Sequence, residues 1–278
     1  MKRVPFVALC GSKLIWSAQL VLVVLCALAL KFYYSTATPN DLLWILAPTT
    51  TLVEFLSGQR FEFESYAGYM SSDHRFVIAV PCAGVNFLIT AFVMVALRRL
   101  WRERFTMMWY SIPVAAAIAY VATIIANATR IWVALALRVR SVEVDWLSGN
   151  QLHRLEGILV YFGFLLLLFV LLERFESAKP VSLAKGLAFP LVIYYAFTLG
   201  VPLANGAYRQ GTAFWEHSVF VLVLPLLLMA PLIVLSLVLR SDEFRFRRVL
   251  SIWDSFAWRR WRTSGTSHRQ SPESRPQC

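Results

Sequence analysis

Apolar residues run through this chain in long stretches with short basic segments between them, and no other feature limits the fold as strongly. A run of about 18 or more apolar residues with few charges is long enough to cross a bilayer as a helix. Such runs fall near residues 14–34, 76–98, 107–128, 156–172, 187–204 and 217–239. They predict an all-α polytopic membrane protein with about six transmembrane helices. Composition agrees: 58% of the residues are hydrophobic, 15% are charged, and the mean hydropathy is +0.60. A soluble domain carries nearer a quarter charged residues. The first run is long for a signal peptide and reads as an uncleaved anchor, although Ala27-Leu28-Ala29 resembles a cleavage site.

A seventh apolar stretch, 42–57, is short and contains Pro48, Glu54 and three consecutive threonines. It reads as re-entrant or interfacial, covered by other helices rather than by lipid. Residues 1–239 thus form one membrane-embedded domain. Residues 240–278 form a basic tail whose distal, Ser/Pro/Arg-rich part has the composition of a disordered segment.

The net charge of +11 raises nucleic acid as a partner, but the placement of the basic residues argues for membrane orientation instead. Segments 1–13, 98–106, 173–186 and 240–278 hold 19 Lys and Arg, while 35–75, 127–155 and 205–216 hold 7. Six spans put the first set on one side and the second on the other. The positive-inside rule then places both termini in the cytoplasm. Counting 42–57 as a span would split the two sets.

On this topology three polar residues reach the outer face from separate segments: Cys82 at the outer end of the second span, Arg130 at the outer end of the third, and His153 just before the fourth. Proline is favoured at the first position of a helix. A helix starting at Pro81 puts Cys82 in its first turn, where amide donors and the helix dipole favour thiolate. Asn86 would then share the Cys82 face, and Gly84 would admit a close backbone approach. Asn127 and Arg130, three apart, share a helix face. Glu156, one turn after His153, is placed to orient the imidazole or to pair with Arg130. Each residue alone also has an ordinary reading: a small buried cysteine, a snorkelling arginine beside Trp132, a loop histidine. Together they supply a nucleophile, a proton carrier and an oxyanion partner. The four cysteines show no CxxC spacing or disulfide framework. One Cys and one His fall short of a zinc set, so no metal or other cofactor is expected.

The motifs Pro81-Cys82-Ala83-Gly84-Val85-Asn86, Asn127-Ala128-Thr129-Arg130 and His153 before a span resemble, in that order, the exosortase/archaeosortase family of membrane transpeptidases. The Pro-Cys-Ala-Gly-Val-Asn-Phe stretch is similar to the exosortase K branch. The resemblance covers roughly residues 70–175. It implies a cysteine protease or transpeptidase of the bacterial cytoplasmic (inner) membrane, with Cys82, Arg130 and His153 as the catalytic set. Its partners would be exported proteins bearing a C-terminal motif, helix and basic cluster, with a lipid or envelope acceptor. In the family the third position is histidine or arginine, and here Arg154 stands beside His153. The chain also has fewer spans than the larger members. A membrane acyltransferase acting through Cys82, and a transporter or scaffold in which Arg130 and His153 line a path, are the alternatives.

Overall fold

The computed structural model describes residues 6–102, 110–139, 149–176, 183–204, 206, 209 and 211–238. The basic tail expected over 240–278 lies outside the described residues. A bilayer offers the backbone no hydrogen-bonding solvent, so a spanning segment must satisfy its own amides and carbonyls, and a helix does so. The long apolar runs accordingly form helices. These are α1 (Phe6–Thr36), α3 (Val85–Arg102), α4 (Ser111–Val139), α5 (Gly149–Glu176), α6 (Leu183–Tyr195), α7 (Val201–Ala204) and α8 (Thr212–Val238). A π-type turn, Ala196–Gly200, joins α6 to α7. Six stretches are long and apolar enough to cross a membrane: Ile15–Thr36, Val80–Arg102, Ser111–Leu137, Arg154–Phe175, Gly186–Leu203 and Phe214–Pro231. The protein is a multi-pass, all-α membrane protein.

Helix α3 is the centre of the bundle, packed against α1, α4, α5 and α6. Nearly every one of its residues from Val85 to Ala96 is buried. The outer helices leave apolar side chains uncovered, among them Leu25 and Leu28 on α1 and Leu226 and Leu227 on α8. Such surfaces suit a lipid solvent and would be a liability in water.

The third span ends later than the sequence predicts. Hydropathy falls at Asn127, but α4 continues to Val139 because Ile131, Trp132 and Val133 resume the apolar pattern. Asn127 and Arg130 therefore sit inside the helix rather than at its end.

The stretch 42–57 contains helix α2 (Leu43–Ser57), shorter than the six spans. It buries Ile45, Leu46, Thr49, Thr50 and Val53 and packs chiefly on α4. Its unexpected charge has a local use: Glu54 Oε1 accepts a hydrogen bond from Phe61 N–H at 2.8 Å. Gly58, at φ 72°, ends the helix.

Beyond it lies a small antiparallel sheet that the sequence reading did not anticipate. It comprises β1 (Phe61–Glu64), β2 (Gly68–Ser71) and β3 (Val77–Ile78) in the order β1-β2-β3. The Phe-Glu-Phe-Glu alternation of β1 has the period of a strand, over a length easily lost between long helical runs. Gly68, at φ 108°, is required here: a Cβ on it would fall 2.5 Å from the Ile78 carbonyl oxygen. That close approach ties β3, and the segment that follows it, to the hairpin.

Candidate active site

The segment leaving β3 forms a 3-10 turn, Val80–Cys82, with Pro81 near its start. Cys82 N–H donates to Ala79 O at 2.8 Å and Ala83 N–H to Val80 O at 3.0 Å. Gly84 then takes φ 73°, a left-handed value that a right-handed helix cannot continue through. Helix α3 starts only at Val85, and Leu88 N–H donates to Gly84 O at 3.0 Å. Cys82 therefore precedes α3 instead of occupying its first turn. Any help to the thiolate from the α3 dipole acts from outside the helix. The expected shared face of Cys82 and Asn86 also fails, because the two residues are not on one helix. Asn86 Oδ1 accepts a hydrogen bond from Lys31 Nζ on α1 at 2.9 Å.

Two helices, α4 and α5, converge on the Cys82 turn through one hydrogen-bonded chain. Asn127 Nδ2 on α4 donates to the Cys82 carbonyl at 2.6 Å. Tyr161 Oη on α5 donates to Asn127 Oδ1 at 2.8 Å. Arg130 Nη1 donates to Tyr161 Oη at 3.2 Å, and the guanidinium carbon lies 5.3 Å from that ring's centroid. Asn127 is fully buried, so both ends of its amide need such partners. Asn127 and Arg130 meet the same phenol, as residues three apart on one helix face should. Gly84 makes the close approach possible: a Cβ there would fall 2.9 Å from Asn127 Cγ.

The Cys82 thiol and the Arg130 guanidinium lie within electrostatic reach of each other, and Glu156 and Tyr161 share that field. Glu156 is buried and lies within electrostatic reach of Arg130. Gly157 leaves the space that Arg130 occupies, since a Cβ there would sit 3.3 Å from Arg130 Nε.

His153 falls within α5, one turn before Gly157 and two before Tyr161. Residues four apart share a helix face, so its position belongs to the face turned toward α4. The His153 side chain itself lies outside the described residues. Arg154, three residues before Gly157 and seven before Tyr161, is exposed and lies within electrostatic reach of His217 on α8.

Three residues at the site escaped the sequence reading. Tyr161 bridges Asn127 and Arg130. Tyr34 Oη donates to Val80 O at 3.3 Å and lies within electrostatic reach of Cys82, Arg130 and Tyr161. Lys31 lies inside the first span, 5.5 Å from the Tyr34 ring centroid. A hydroxyl or ammonium deep in an apolar run signals a polar interior partner, and that signal was present at all three. Among the described residues no group of three His, Cys, Asp or Glu side chains could hold a metal ion. What the cluster offers is a thiol held by its own backbone beside a fixed cation, an arrangement suited to attack on a carbonyl and to stabilising the oxyanion that results. Comparison with family models, curated proteins and solved structures returned no match.

Proposed function

We propose that this protein is a membrane-embedded cysteine peptidase or transpeptidase of the exosortase kind. It cleaves C-terminal sorting signals of exported proteins at the outer face of the bacterial cytoplasmic membrane. The observation that carries the reading is the chain from the Cys82 carbonyl through Asn127 and Tyr161 to Arg130, which joins the thiol's turn to the guanidinium. Sidedness is supported by the basic residues. The Lys/Arg-rich segments 98–106 and 173–186 follow the opposite ends of α3 and α5, which leaves Cys82 outside.

In this mechanism the Cys82 thiolate attacks the scissile carbonyl carbon, and a carbon–sulfur bond forms. The oxyanion develops next to Arg130. The amide carbon–nitrogen bond then breaks, and His153 delivers the thiol's former proton to the leaving amine. Water or an amine acceptor attacks the resulting thioester and gives its proton to His153, and the thiolate departs. Asn127 holds the nucleophile's turn, Tyr161 joins that hold to Arg130, and Glu156 steadies the guanidinium.

The test is the size and membrane retention of an exported protein with such a C-terminal signal, in cells expressing each variant at matched levels. Cys82→Ala abolishes processing, and Cys82→Ser nearly does so because a hydroxyl needs a stronger base. His153→Ala slows turnover severely, and Arg154→Ala does so more mildly. Normal processing by Cys82→Ala would overturn the reading and leave a transporter or scaffold. A cysteine placed at Tyr66, exposed between β1 and β2, should be labelled from the outer side. Labelling from the cytoplasmic side alone would separate the thiol from any exported substrate.

A further inference from the structure

Strand β3 forms one edge of the sheet, and its pairing fixes which backbone groups face outward. Ser71 N–H donates to Phe76 O at 2.9 Å, and Ser72 N–H to Arg60 O at 3.3 Å. The register sets Tyr69 against Ile78, Met70 against Val77, and Met70 also against Glu62 of β1. Hydrogen-bonded and non-hydrogen-bonded pairs alternate along an antiparallel ladder. Ser71/Phe76 and Tyr69/Ile78 are thus the bonded pairs, while Met70 bonds to β1. The N–H and C=O of Val77 point away from β2. Among the described residues neither group meets a partner, and no element except β2 packs extensively on β3.

The two edges of the sheet differ. On β1 the corresponding outward N–H, that of Phe61, is taken by Glu54 Oε1 at 2.8 Å, and Glu62 and Glu64 add charge. Charge and capping discourage pairing at an edge. On β3 the edge residues Val77 and Ile78 are uncharged, Val77 half-buried and Ile78 buried, and the chain runs from them directly into the Cys82 turn. The chain from Val77 to Cys82, three extended residues and a 3-10 turn, measures at most roughly 14 Å. About four residues of extended peptide cover that length.

We propose that an extended segment of the substrate polypeptide adds to β3 as a fourth strand, with its backbone paired to Val77 and its scissile bond carried to Cys82. This rests on the peptidase reading and supplies its substrate geometry. Strand addition to an open sheet edge is a recurring mode of peptide recognition, in which main-chain hydrogen bonds provide affinity with little demand on sequence. The substrate would be recognised in an unfolded, extended stretch next to its membrane helix.

The experiment uses the full chain in detergent, with alkylation of Cys82 followed by mass spectrometry. Two reagents are compared: tetra-alanyl chloromethyl ketone, which can add as a strand, and iodoacetamide, which cannot. Val77→Pro removes the outward N–H and leaves the ladder to β2 intact, a position where edge strands accept proline. It should slow the peptide reagent about fivefold, the effect of one net hydrogen bond, and leave iodoacetamide unchanged. As a check that does not depend on the variant folding, single N-methylation along the peptide should slow the native protein at alternate positions only. A flat methylation scan overturns the proposal while leaving the nucleophile intact. So does a Val77→Pro variant that keeps the peptide rate but loses a dimer, which would assign the edge to a second copy. A Cys82 inert to both reagents removes the peptidase reading, and the strand with it.

Discussion

Two arginines sit within the helix bundle, and their surroundings differ in an instructive way. Arg98, near the C-terminal end of α3, is 6% exposed. Its Nε donates to Glu173 Oε1 at 2.8 Å and its Nη2 to the Leu172 carbonyl at 2.9 Å. Arg130 lies toward the other end of the bundle. Its Nη1 is engaged by a phenol, and its field reaches the Cys82 thiol as well as Glu156. A charge in apolar surroundings is costly unless it is compensated. Arg98 answers that cost with a direct carboxylate and a carbonyl, which fix α3 against α5. Arg130 answers it with a chain of groups that ends at the Cys82 backbone. The first arrangement holds helices together; the second, in the proposed mechanism, also sets the cation near the nucleophile.

The contrast breaks most sharply on substitution of each arginine. Arg98→Leu strands the largely buried Glu173 carboxylate, and removing one member of a buried pair costs about 3–5 kcal/mol. The expected outcome is a large fall in thermal unfolding temperature and in accumulation. Arg98→Leu combined with Glu173→Leu should regain most of that loss. Arg130→Lys keeps the charge but loses the planar fork. It should accumulate normally and lose most processing. Similar losses of protein in both single variants would mean that Arg130 is as structural as Arg98.

A smaller effect is expected at Gly84. Alanine there is strained at φ 73° and drives its Cβ into Asn127. A residue forced into this backbone region costs about 1–3 kcal/mol. Gly84→Ala should therefore lower stability by roughly 2 kcal/mol, and it should also cut processing because the Asn127 hold on Cys82 is displaced. A drop in stability with processing per molecule unchanged would show that Asn127 does not position the thiol.

How much of this was legible in the sequence follows from what each feature depends on. The helices were legible because lipid leaves a spanning chain almost no other option. The meeting of Cys82, Asn127 and Arg130 was legible because span order alone brings their segments to one end. The true start of α3 was not. Pro81 suits a 3-10 turn as well as an α-helix, and the sign of φ at Gly84 cannot be read from its identity. Without that break Asn86 seemed to belong to Cys82, when its partner is Lys31, 55 positions away. Tyr161 was hidden among the apolar residues of α5, because an aromatic ring with one polar atom raises no alarm in a hydropathy profile. The sheet was missed because strands of 4, 4 and 2 residues give too short an alternation to compete with neighbouring helices.

Tyr161→Phe sharpens the comparison more finely. It keeps the ring stacked on Phe87, whose centroid is 5.0 Å away, and removes only the hydroxyl that links Asn127 to Arg130. One hydrogen-bonding group contributes about 1 kcal/mol, so a stability loss of that order is expected. The informative readout is catalytic. If the phenol aligns the cation with the thiol, turnover falls about five- to tenfold with substrate affinity unchanged. An unchanged rate would reduce Tyr161 to packing, and the chain from Cys82 to Arg130 would lose its functional meaning.

The smallest expected effect lies in the turn that leads into β3, and it concerns how firmly the outer structure is held. Ser71 Oγ donates to Asp73 Oδ1 at 2.6 Å, Arg75 N–H donates to the same oxygen at 3.2 Å, and Phe76 N–H donates to Ser71 Oγ at 3.0 Å. The Ser71 hydroxyl first, then the Arg75 amide, hold the Asp73 carboxyl below its ordinary value of 3.8. A group whose folded pKa is depressed contributes stability that is present above its unfolded pKa and lost as pH falls through the folded one. The turn should therefore be unaffected from neutral pH down to about 4 and loosen below that. Because Asp73 is exposed, solvent screens the effect and the loosening is local. Amide hydrogen exchange at Phe76 and Ser71 should accelerate below pH 4 beyond the intrinsic trend, and Asp73→Asn should remove that acceleration. The Arg98 end of the bundle, held by a pair between helices rather than by a surface turn, should show no matching change at Leu172 over the onset of that loosening. Equal responses at both ends would mean that acid loosens the bundle as a whole, and that the turn before Cys82 has no weakness of its own.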